Sequence, residues 1–391
     1  MKKAKNTRWH ASEESNALIF DVCKHFLDQF SSKQENDSDD SGSDSEKKGA
    51  AGTAQWVSQK WNRNDISREK IYPLLAEGIR RGFLFLQTPV EKQLPERLKN
   101  KFHLENHEGT ITVVDIAGKD NSAIAEGVTS QAADQVIYLI DEVARQKAQK
   151  EGKEISQVKV HLGMGAGLVS MLVAQKLAQR VRSGKNIPCL VLHAISTGGF
   201  FIAAPHKAPI TYFSYFDEIR SKVEYIALFA HTVVPEEEYA KIKENPGLRL
   251  CFERKNEIDI IITSMAGAQH KHGLLRQYFE WLIDNHLINS DTITNMEEAG
   301  WIGDVQFQPY TKDGILEKAS PFRAVTLFDL NELVEFAKTP GKYIVLVGGP
   351  CGECGELKTD PLRPLLANDH LRLWTHLILD VKTANELLAA M

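Results

Sequence analysis

The C-terminal segment of this chain leaves little choice of fold. Two apolar runs, Tyr343–Val347 and Leu373–Leu379, are separated by a helix-like segment that begins near Lys358. The first run ends in Gly348-Gly349 and the second ends in Asp380. A strand, a turn, a helix and a second strand in this order predict two parallel strands joined by a crossover helix. Ligand sites in such sheets lie beyond the carboxyl ends of the strands, so this segment also predicts a ligand site.

The alternation of strands and helices extends upstream as far as Ile111. Long helices are predicted over residues 129–149 and 168–182. Further strands are predicted at Ile111–Val114, Val158–Leu162, Pro188–Ala194, Tyr225–Phe229 and Ile258–Thr263. This alternation indicates a Rossmann-like parallel sheet covered by helices on both faces, within a domain of residues 91–391.

Small-residue loops follow several of these strands. Glycine allows backbone N–H groups to approach an anion, and a following helix adds its positive N-terminal end. The loops therefore predict a site for a phosphate or a polyol, although glycine also serves tight packing alone. Asp304 lies in a glycine-rich stretch and is a hydrogen-bond acceptor for sugar hydroxyls or, equally, a turn cap. The loop residues are Gly163, Gly165 and Gly167 after one strand and Ser196, Thr197, Gly198 and Gly199 after another.

The N-terminal residues predict a separate helical domain, residues 1–90. Helices are expected over 11–30, 53–62 and 66–81, with Asp65 as a cap, and a strand at Phe83–Leu86. Residues 31–52 are acidic and serine-rich and are expected to be a disordered insertion. Three helices and a strand are the outline of a winged helix-turn-helix. Ser67, Arg68, Lys70 and Tyr72 would then reach bases in the major groove, and Lys60, Arg80 and Arg81 would reach phosphates.

Charge and composition limit the function classes. The 391 residues carry a formal net charge of −5, so DNA binding requires a local basic face. Residues 51–82 provide one, with six Lys or Arg against three acids. The sequence contains neither a membrane-spanning apolar run nor a secretory signal pattern. Five scattered cysteines suit a reducing compartment. We therefore expect a cytoplasmic protein without membrane association.

One cysteine pair suggests metal or redox chemistry. Cys351 and Cys354 have the spacing of a metal-binding or thioredoxin-like pair. A zinc site needs about four ligands, and the sequence contains no second pair of this kind. His270 and His272 could join only if the fold brought them there. The sequence analysis therefore favours a ligand loop and predicts neither a metal nor a cofactor.

Taken together, these segments resemble the SorC family of sugar-responsive bacterial transcription regulators. The resemblance covers roughly residues 53–391. It rests on the order and spacing of several blocks: ISREKIYPLLAEGIRRG, VHLGMGAGL, AISTGG, IDIIITSMAG, AGWIGDVQFQPYTKDG and VLVGGP with the closing LILDVKTANELL. The resemblance implies an N-terminal winged helix-turn-helix that binds double-stranded DNA. It also implies an effector domain, similar in fold to sugar-phosphate isomerases, that senses a phosphorylated sugar in a dimer or tetramer.

Mapped onto this chain, the resemblance implies the two loops already described as the effector site. Asp304 would lie beside the sugar, and Lys358 would neutralise its phosphate. The sequence departs from the family pattern after the first loop, where Leu168 and Val169 replace the usual hydroxyl residue. It also departs in the longer basic loop 264–273, at Pro73 in the recognition helix and in the acidic insertion.

Two alternative functions remain open from sequence. The first is an isomerase-like enzyme, in which Asp304, Glu356 or His193 would act as general base. The second is a sugar sensor that acts through a protein partner without DNA binding, which Pro73 and the acidic insertion favour.

Overall fold

The chain divides into two compact units in the computed structural model. The N-terminal unit comprises Met1–Leu86 and the sheet unit comprises Gln87–Met391. Within them the structure describes residues 9–31, 49–84, 88–116, 121–183, 187–197, 204–316 and 320–389. Most of the predicted acidic insertion falls outside these ranges. Its last residues, 49–52, were wrongly included in it, because they form the first turn of a helix.

Three helices build the N-terminal unit: α1 (Asn16–Ser31), α2 (Gly49–Trp61) and α3 (Arg68–Arg80). A short 3-10 helix, Ala11–Glu13, precedes them. Apolar residues at helical spacing bury one face of each helix against the other two. The buried core consists of Leu18, Ile19, Val22, Cys23, Ala50, Val57, Ile66, Ile71 and Leu74.

Two local predictions for the N-terminal unit were wrong. Phe83 and Leu84 form a bend instead of a strand, and residues 85–86 lie outside the described ranges. Asp65 does not cap α3, because its carboxylate accepts hydrogen bonds from Arg63. The N-cap position belongs to Ser67. The helix continues through Pro73, whose ring is exposed to solvent.

The sheet unit is built on a mainly parallel sheet. Its strands run in the order β1-β2-β12-β11-β7-β3-β4-β5, all parallel except the edge strand β1, and a hairpin of β8 and β9 extends the end of β7. The separate pair β6 and β10 is antiparallel. The strands are β1 (Val90–Glu91), β2 (Thr110–Val114), β3 (Lys159–Met164), β4 (Cys189–Ala194), β5 (Val223–Ile226), β6 (Val233–Val234), β7 (Ile260–Gly267), β8 (Gly303–Val305), β9 (Gln308–Tyr310), β10 (Arg323–Ala324), β11 (Tyr343–Val347) and β12 (His376–Asp380).

Helices enclose the central strands, which are almost completely buried. The α-helices are α4 (Leu94–Lys101), α5 (Asn121–Glu151), α6 (Leu168–Ser183), α7 (Pro209–Tyr212), α8 (Glu236–Glu244), α9 (Pro246–Glu253), α10 (Leu274–Asp284), α11 (Thr292–Glu298), α12 (Leu330–Lys338), α13 (Thr359–Ala367) and α14 (Val381–Ala389). Shorter 3-10 helices are Ile155–Gln157, Pro205–Lys207, Phe213–Lys222 and Arg254–Glu257. None of the helices in the described ranges is both long enough and apolar enough to cross a bilayer.

The structure confirms the predicted α/β class and shifts some boundaries. β5 begins at Val223 and ends at Ile226, before the predicted run is complete. β12 begins only at His376, because the preceding Leu373 and Trp374 pack as a buried loop beneath the sheet. Apolar side chains are needed in both settings, so hydrophobicity alone did not separate the loop from the strand.

Trp374 is expected to be a major source of stability in the sheet unit. Its side chain is completely buried, its indole N–H donates to the Leu365 carbonyl at 2.9 Å, and its ring contacts His107 edge-on. Trp374→Ala should lower the free energy of unfolding by about 3–5 kcal/mol, because it leaves a large cavity. Urea denaturation measures this loss. The control is Trp281→Ala at a side chain that is 43% exposed, and an equal loss in both variants would contradict the prediction.

Candidate functional site

A cleft with a cavity volume of about 80 Å³ lies at the carboxyl ends of β3, β7 and β11. We call it the sheet-edge cleft. Parallel strands end at the same edge of the sheet, so loops far apart in sequence meet there. Among the residues that line it are Gly167, His270, Asp304, Gln306, Cys351 and Lys358. The cleft therefore brings together three of the predicted effector residues, Gly167, Asp304 and Lys358.

Asp304 lies on β8 with its carboxyl group buried inside the cleft wall. Burial raises its pKa to about 7, although a backbone N–H from Phe307 and the positive charge of Lys358 act in the opposite direction. The second carboxyl oxygen, Oδ2, is buried and has no hydrogen-bond partner among the residues that the structure describes. A buried acceptor of this kind is costly unless a ligand donates to it.

The turn between β8 and β9 holds a second unpaired acceptor. Gln306 and Phe307 have φ values of 55° and 64°, so both occupy the left-handed region as non-glycine residues. Such a turn is strained, and strain of this kind is concentrated at functional sites. The Gln306 amide N–H donates to the Thr263 hydroxyl at 2.9 Å, while its buried Oε1 has no partner within the described ranges. Asp304 on β8 and Gln306 in the turn thus both line the cleft.

Lys358 supplies the cationic side of the cleft. It occupies the N-cap position of α13 and is only 7% exposed. Within the described part of the chain, its ammonium group forms no ion pair with a carboxylate. Burial lowers its pKa, which the negative charges of Cys351 and Asp304 partly oppose. A buried cation without a close partner favours binding of an anion.

The first glycine loop contributes less than predicted. Gly163 lies inside β3, and Gly165 lies behind Gln306, where an added Cβ would be 2.6 Å from the Gln306 amide nitrogen. Only Gly167 of the three borders the cleft. Leu168 and Val169 at the start of α6 also line it. The N-terminal end of this 16-residue helix therefore faces the cleft, and the first backbone N–H groups of a helix have no partner within the helix itself.

The second predicted loop stabilises the fold in its described part. The Ser196 hydroxyl accepts a hydrogen bond from the Ala166 N–H, and the Thr197 hydroxyl donates to that of Thr232. Both side chains are buried and neither lines the cleft. The other two members, Gly198 and Gly199, lie outside the described residues.

Lys207 and Glu353 also line the cleft, and neither was predicted. Glu353 accepts from the Lys207 ammonium at 2.7 Å and pairs with His272 at 2.5 Å. The Lys207 hydrogen bond lowers the pKa of Glu353. Lys207 and Glu353 are 146 residues apart. No local pattern could have joined them, because only the shared sheet edge brings the two loops together.

His270 lies against the cysteine pair, a contact that the sequence could not predict. Its Nε2 is 3.4 Å from the Cys354 sulfur. Burial alone would raise the pKa of Cys351. Hydrogen bonds from His270 and from backbone N–H groups outweigh this effect and lower the pKa to about 6. The Cys351 thiolate is therefore stabilised by groups from two separate loops.

The remaining polar candidates lie away from the cleft. Asp380 is buried as the cap of α14, where it accepts from the Lys382 and Thr383 N–H groups at 2.8 and 3.1 Å. His193 is buried in β4 and contacts His161. The Glu356 side chain is 54% exposed and does not line the cleft. Of the three general bases considered for an enzyme, only Asp304 therefore faces the cleft.

In the N-terminal unit, the start of α3 presents an exposed polar surface. Ser67, Arg68 and Tyr72 are exposed, and Tyr72 is 53% accessible. The Ser67 hydroxyl donates to Glu69 at 2.7 Å. In a helix-turn-helix, this first turn of the second helix is the part that contacts base edges. We call this surface the α3 face.

The other predicted DNA-contacting residues are engaged within the unit. Lys70 donates to the Asp65 carbonyl and lies over the Trp9 ring. Arg81 donates to Glu77, to Asn16 and to two backbone carbonyls near α1, which gives it a structural role. Arg80 pairs with Glu77 but keeps 63% of its side chain exposed. Lys60 pairs with Asp21 and remains about half exposed.

Solved structures of bacterial regulators share this fold. The full-length sorbitol operon regulator SorC from Klebsiella pneumoniae aligns with a TM-score of 0.56 and 14% identity, over 96% of this chain and 99% of that one. A probable sor operon regulator from Shigella flexneri aligns with a TM-score of 0.53 and 14% identity, over 76% of this chain and 98% of that one. A domain of a possible sugar-binding transcriptional regulator from Arthrobacter aurescens TC1 aligns with a TM-score of 0.51 and 15% identity, over 76% of this chain and 97% of that one. No family model and no curated protein matches the sequence.

The chain consists of a three-helix unit followed in sequence by a helix-covered parallel sheet. The structures that share this fold include those of SorC from Klebsiella pneumoniae and of a possible sugar-binding transcriptional regulator. The predicted resemblance to the SorC family is therefore confirmed at the level of the fold.

Proposed function

We propose that this protein is a DNA-binding transcription regulator of carbohydrate metabolism whose sheet-edge cleft binds a phosphorylated sugar. The observation that carries the proposal is the set of groups in one cleft. Asp304 and Gln306 offer buried acceptors without partners, and Lys358 offers a buried cation without an ion pair. A polyol phosphate matches this set, because it has hydroxyl donors at one end and an anion at the other.

The phosphate end is best served by Lys358 together with the start of α6. Backbone N–H groups at a helix N-terminus bind anions, and the helix dipole favours negative charge there. The side chains of Leu168 and Val169 cannot donate a hydrogen bond, so the backbone replaces the hydroxyl contact usual at this point in the family. The sugar end is served by Asp304 and Gln306, whose oxygens accept hydroxyl protons.

The N-terminal unit supports the DNA-binding part of the proposal. Its α3 face exposes Arg68 and Tyr72 within the locally basic segment 51–82. Helix-turn-helix proteins bind paired half-sites as symmetric oligomers, so the proposal includes a homodimer or a tetramer. Effector binding would then change operator affinity by favouring one arrangement of subunits. The acidic insertion plays no part in this argument.

A thermal-shift screen of the full-length protein tests the ligand class. The panel contains ribose 5-phosphate, glucosamine 6-phosphate, glucose 6-phosphate and sorbitol 6-phosphate, each beside its unphosphorylated form. A ligand that binds only the folded protein raises the melting temperature by mass action. We expect a shift with one phosphorylated sugar that exceeds the shift with its free form. Operator DNA found by selection from random duplexes should then lose or gain affinity when that sugar is added.

Lys358→Met is expected to remove the preference for the phosphorylated form. Loss of a charge-assisted contact should weaken binding by about 10- to 100-fold, which corresponds to roughly 1.5–3 kcal/mol. Lys312→Met, at an exposed lysine that does not line the cleft, is the matched control. A phosphate preference that survives in Lys358→Met, or a panel without any shift, would contradict the proposal.

An isomerase-like enzyme is the second proposal, and one observation favours it. Asp304 combines burial with a pKa of about 7, which suits a general base at neutral pH. Proton NMR of the same panel with the protein at micromolar concentration distinguishes the two. If the wild-type protein converts one sugar phosphate and the Asp304→Asn variant does not, the enzyme proposal replaces the sensor proposal. Binding without conversion supports the sensor.

A further inference from the structure

We infer that Cys351, Cys354 and His270 form a binding site for a thiophilic divalent metal of the zinc class. The two sulfur atoms and one imidazole nitrogen all lie within 4.8 Å of one another. The His270 Nε2 is 3.4 Å from the Cys354 sulfur. A tetrahedral zinc ion with bonds of about 2.0–2.3 Å separates its ligand atoms by about 3.4–3.8 Å. The three atoms therefore reach ligand geometry through side-chain adjustment alone.

The loop from Cys351 to Glu356 has the form of a metal-binding turn. The Cys351 N–H donates to the Glu356 carbonyl at 2.9 Å, and the Gly355 N–H donates to the Cys351 carbonyl at 2.8 Å. Gly355 has a φ of 74°, a conformation that favours glycine. The loop closes on itself and holds the two sulfurs on one side of the turn.

Backbone N–H groups of this loop point at both sulfurs. Those of Glu353 and Cys354 hydrogen-bond the Cys351 sulfur, and that of Glu356 hydrogen-bonds the Cys354 sulfur. Hydrogen bonds to sulfur stabilise the thiolate, which is the form that binds metals. These N–H groups favour the Cys351 thiolate, whereas burial and the neighbouring Cys351 raise the pKa of Cys354.

The third ligand comes from a neighbouring strand. His270 lies in the turn after β7, where its N–H donates to the Gly267 carbonyl and its carbonyl accepts from Gly273. The ring is 5% exposed and is directed at the sulfurs. If the two cysteines only stabilised the loop, no buried imidazole would need to contact their sulfur atoms. The Glu356 carboxylate lies 3.7 Å from the His270 Nε2 and offers a further oxygen ligand.

The charges and the access route also fit a metal. Two thiolates neutralise a divalent ion, and the Lys358 cation is near enough to interact with both thiols and to balance an added carboxylate. Cys354 is exposed, which gives the ion a route from solvent. Cys351 and His270 also line the sheet-edge cleft, so the metal would form part of its wall. The inference stands independently of DNA binding and of the identity of any sugar.

Cobalt titration of the reduced, chelator-treated full-length protein tests the site. Co²⁺ is a spectroscopic substitute for Zn²⁺ in tetrahedral thiolate sites. We expect thiolate-to-cobalt charge-transfer absorption that saturates at about one equivalent per chain, and we expect Zn²⁺ to displace the cobalt. Cys354→Ser and His270→Gln should each weaken binding by at least about tenfold, because even outer partners of a metal site change affinity by about 10- to 100-fold.

The control is Cys189→Ser, which removes a thiol on β4 outside the cluster and should leave the titration unchanged. Circular dichroism of every variant separates metal loss from unfolding, and the exposed position of Cys354 makes its serine variant the most informative. The inference is overturned if the reduced wild-type protein, with all five thiols titratable, shows no charge-transfer band. It is also overturned if the band persists in folded Cys354→Ser and His270→Gln.

Discussion

Asp304→Asn is expected to make the free protein more stable at pH 8 and, at the same time, unable to bind its effector. In the folded protein, burial raises the pKa of Asp304 from 3.8 to about 7. The unfolded chain therefore loses this proton first as the pH rises. Stability is lost between about pH 4 and pH 7, and the loss is complete above the folded pKa. Asparagine has no proton to lose and escapes this cost.

The stabilisation should be about 1–3 kcal/mol at pH 8 and close to zero near pH 4. A pKa shift of this size corresponds at most to about 4 kcal/mol, and the asparagine amide recovers only part of it because it remains without a full set of partners. Urea denaturation at both pH values measures the difference. Asp313→Asn at an exposed turn residue is the control, and equal stability of wild type and Asp304→Asn at pH 8 would refute the argument.

The same variant should lose effector binding by at least about tenfold, because an amide N–H replaces the acceptor that a sugar hydroxyl needs. The thermal shift with the selected sugar phosphate measures this loss. The two results have opposite signs, so simple unfolding cannot produce both. An Asp304→Asn variant that is stabilised and still binds the sugar phosphate would show that Asp304 does not contact the effector.

Arg68→Ala is expected to weaken binding to the selected operator by about 5- to 150-fold, the range for one base contact of about 1–3 kcal/mol. Arg68 is exposed at the first turn of α3, the turn that enters the major groove in this motif. If Arg68 instead contacts a phosphate, affinity falls equally for all sequences and the salt dependence falls by about one counterion. Fluorescence anisotropy at two or more salt concentrations separates these outcomes.

Lys24→Ala is the matched control, because it removes one exposed positive charge from α1 of the same unit. Tyr72→Ala should add to the effect of Arg68→Ala, since both residues belong to the α3 face. Arg81→Ala is a poor probe of DNA contact, because its hydrogen bonds tie α3 to the segment before α1. Equal affinity of Arg68→Ala and Lys24→Ala for the operator would exclude the α3 face as the DNA-reading surface.

Local sequence patterns predicted the elements of this fold well where burial and regularity coincide. Tyr343–Val347 is a strand as predicted, and α6 begins at Leu168 after its glycine loop as expected. Lys358 was recognised as the start of a helix, and it is the N-cap of α13. Patterns of apolar residues were sufficient to predict these elements, because each pattern depends on the burial of a single helix or strand.

The same patterns could not locate the hairpin of β8 and β9. Its turn residues, Gln306 and Phe307, adopt a backbone conformation that normally calls for glycine or asparagine. The local sequence does not predict such a turn, because contacts with the surrounding structure impose its backbone conformation. The missed turn carries one of the two unpaired acceptors of the cleft, which shows why the site was only partly predicted.

The sequence by itself determined which segments become strands and helices, because burial and backbone preference act over a few residues. Only the tertiary structure decided which loops meet. It placed Asp304 with Lys358 in one cleft, moved Ser196 into the core, and set His270 against Cys351 and Cys354. The physical reason is that the order of parallel strands depends on packing across the whole sheet, and that order selects the side chains that share an edge.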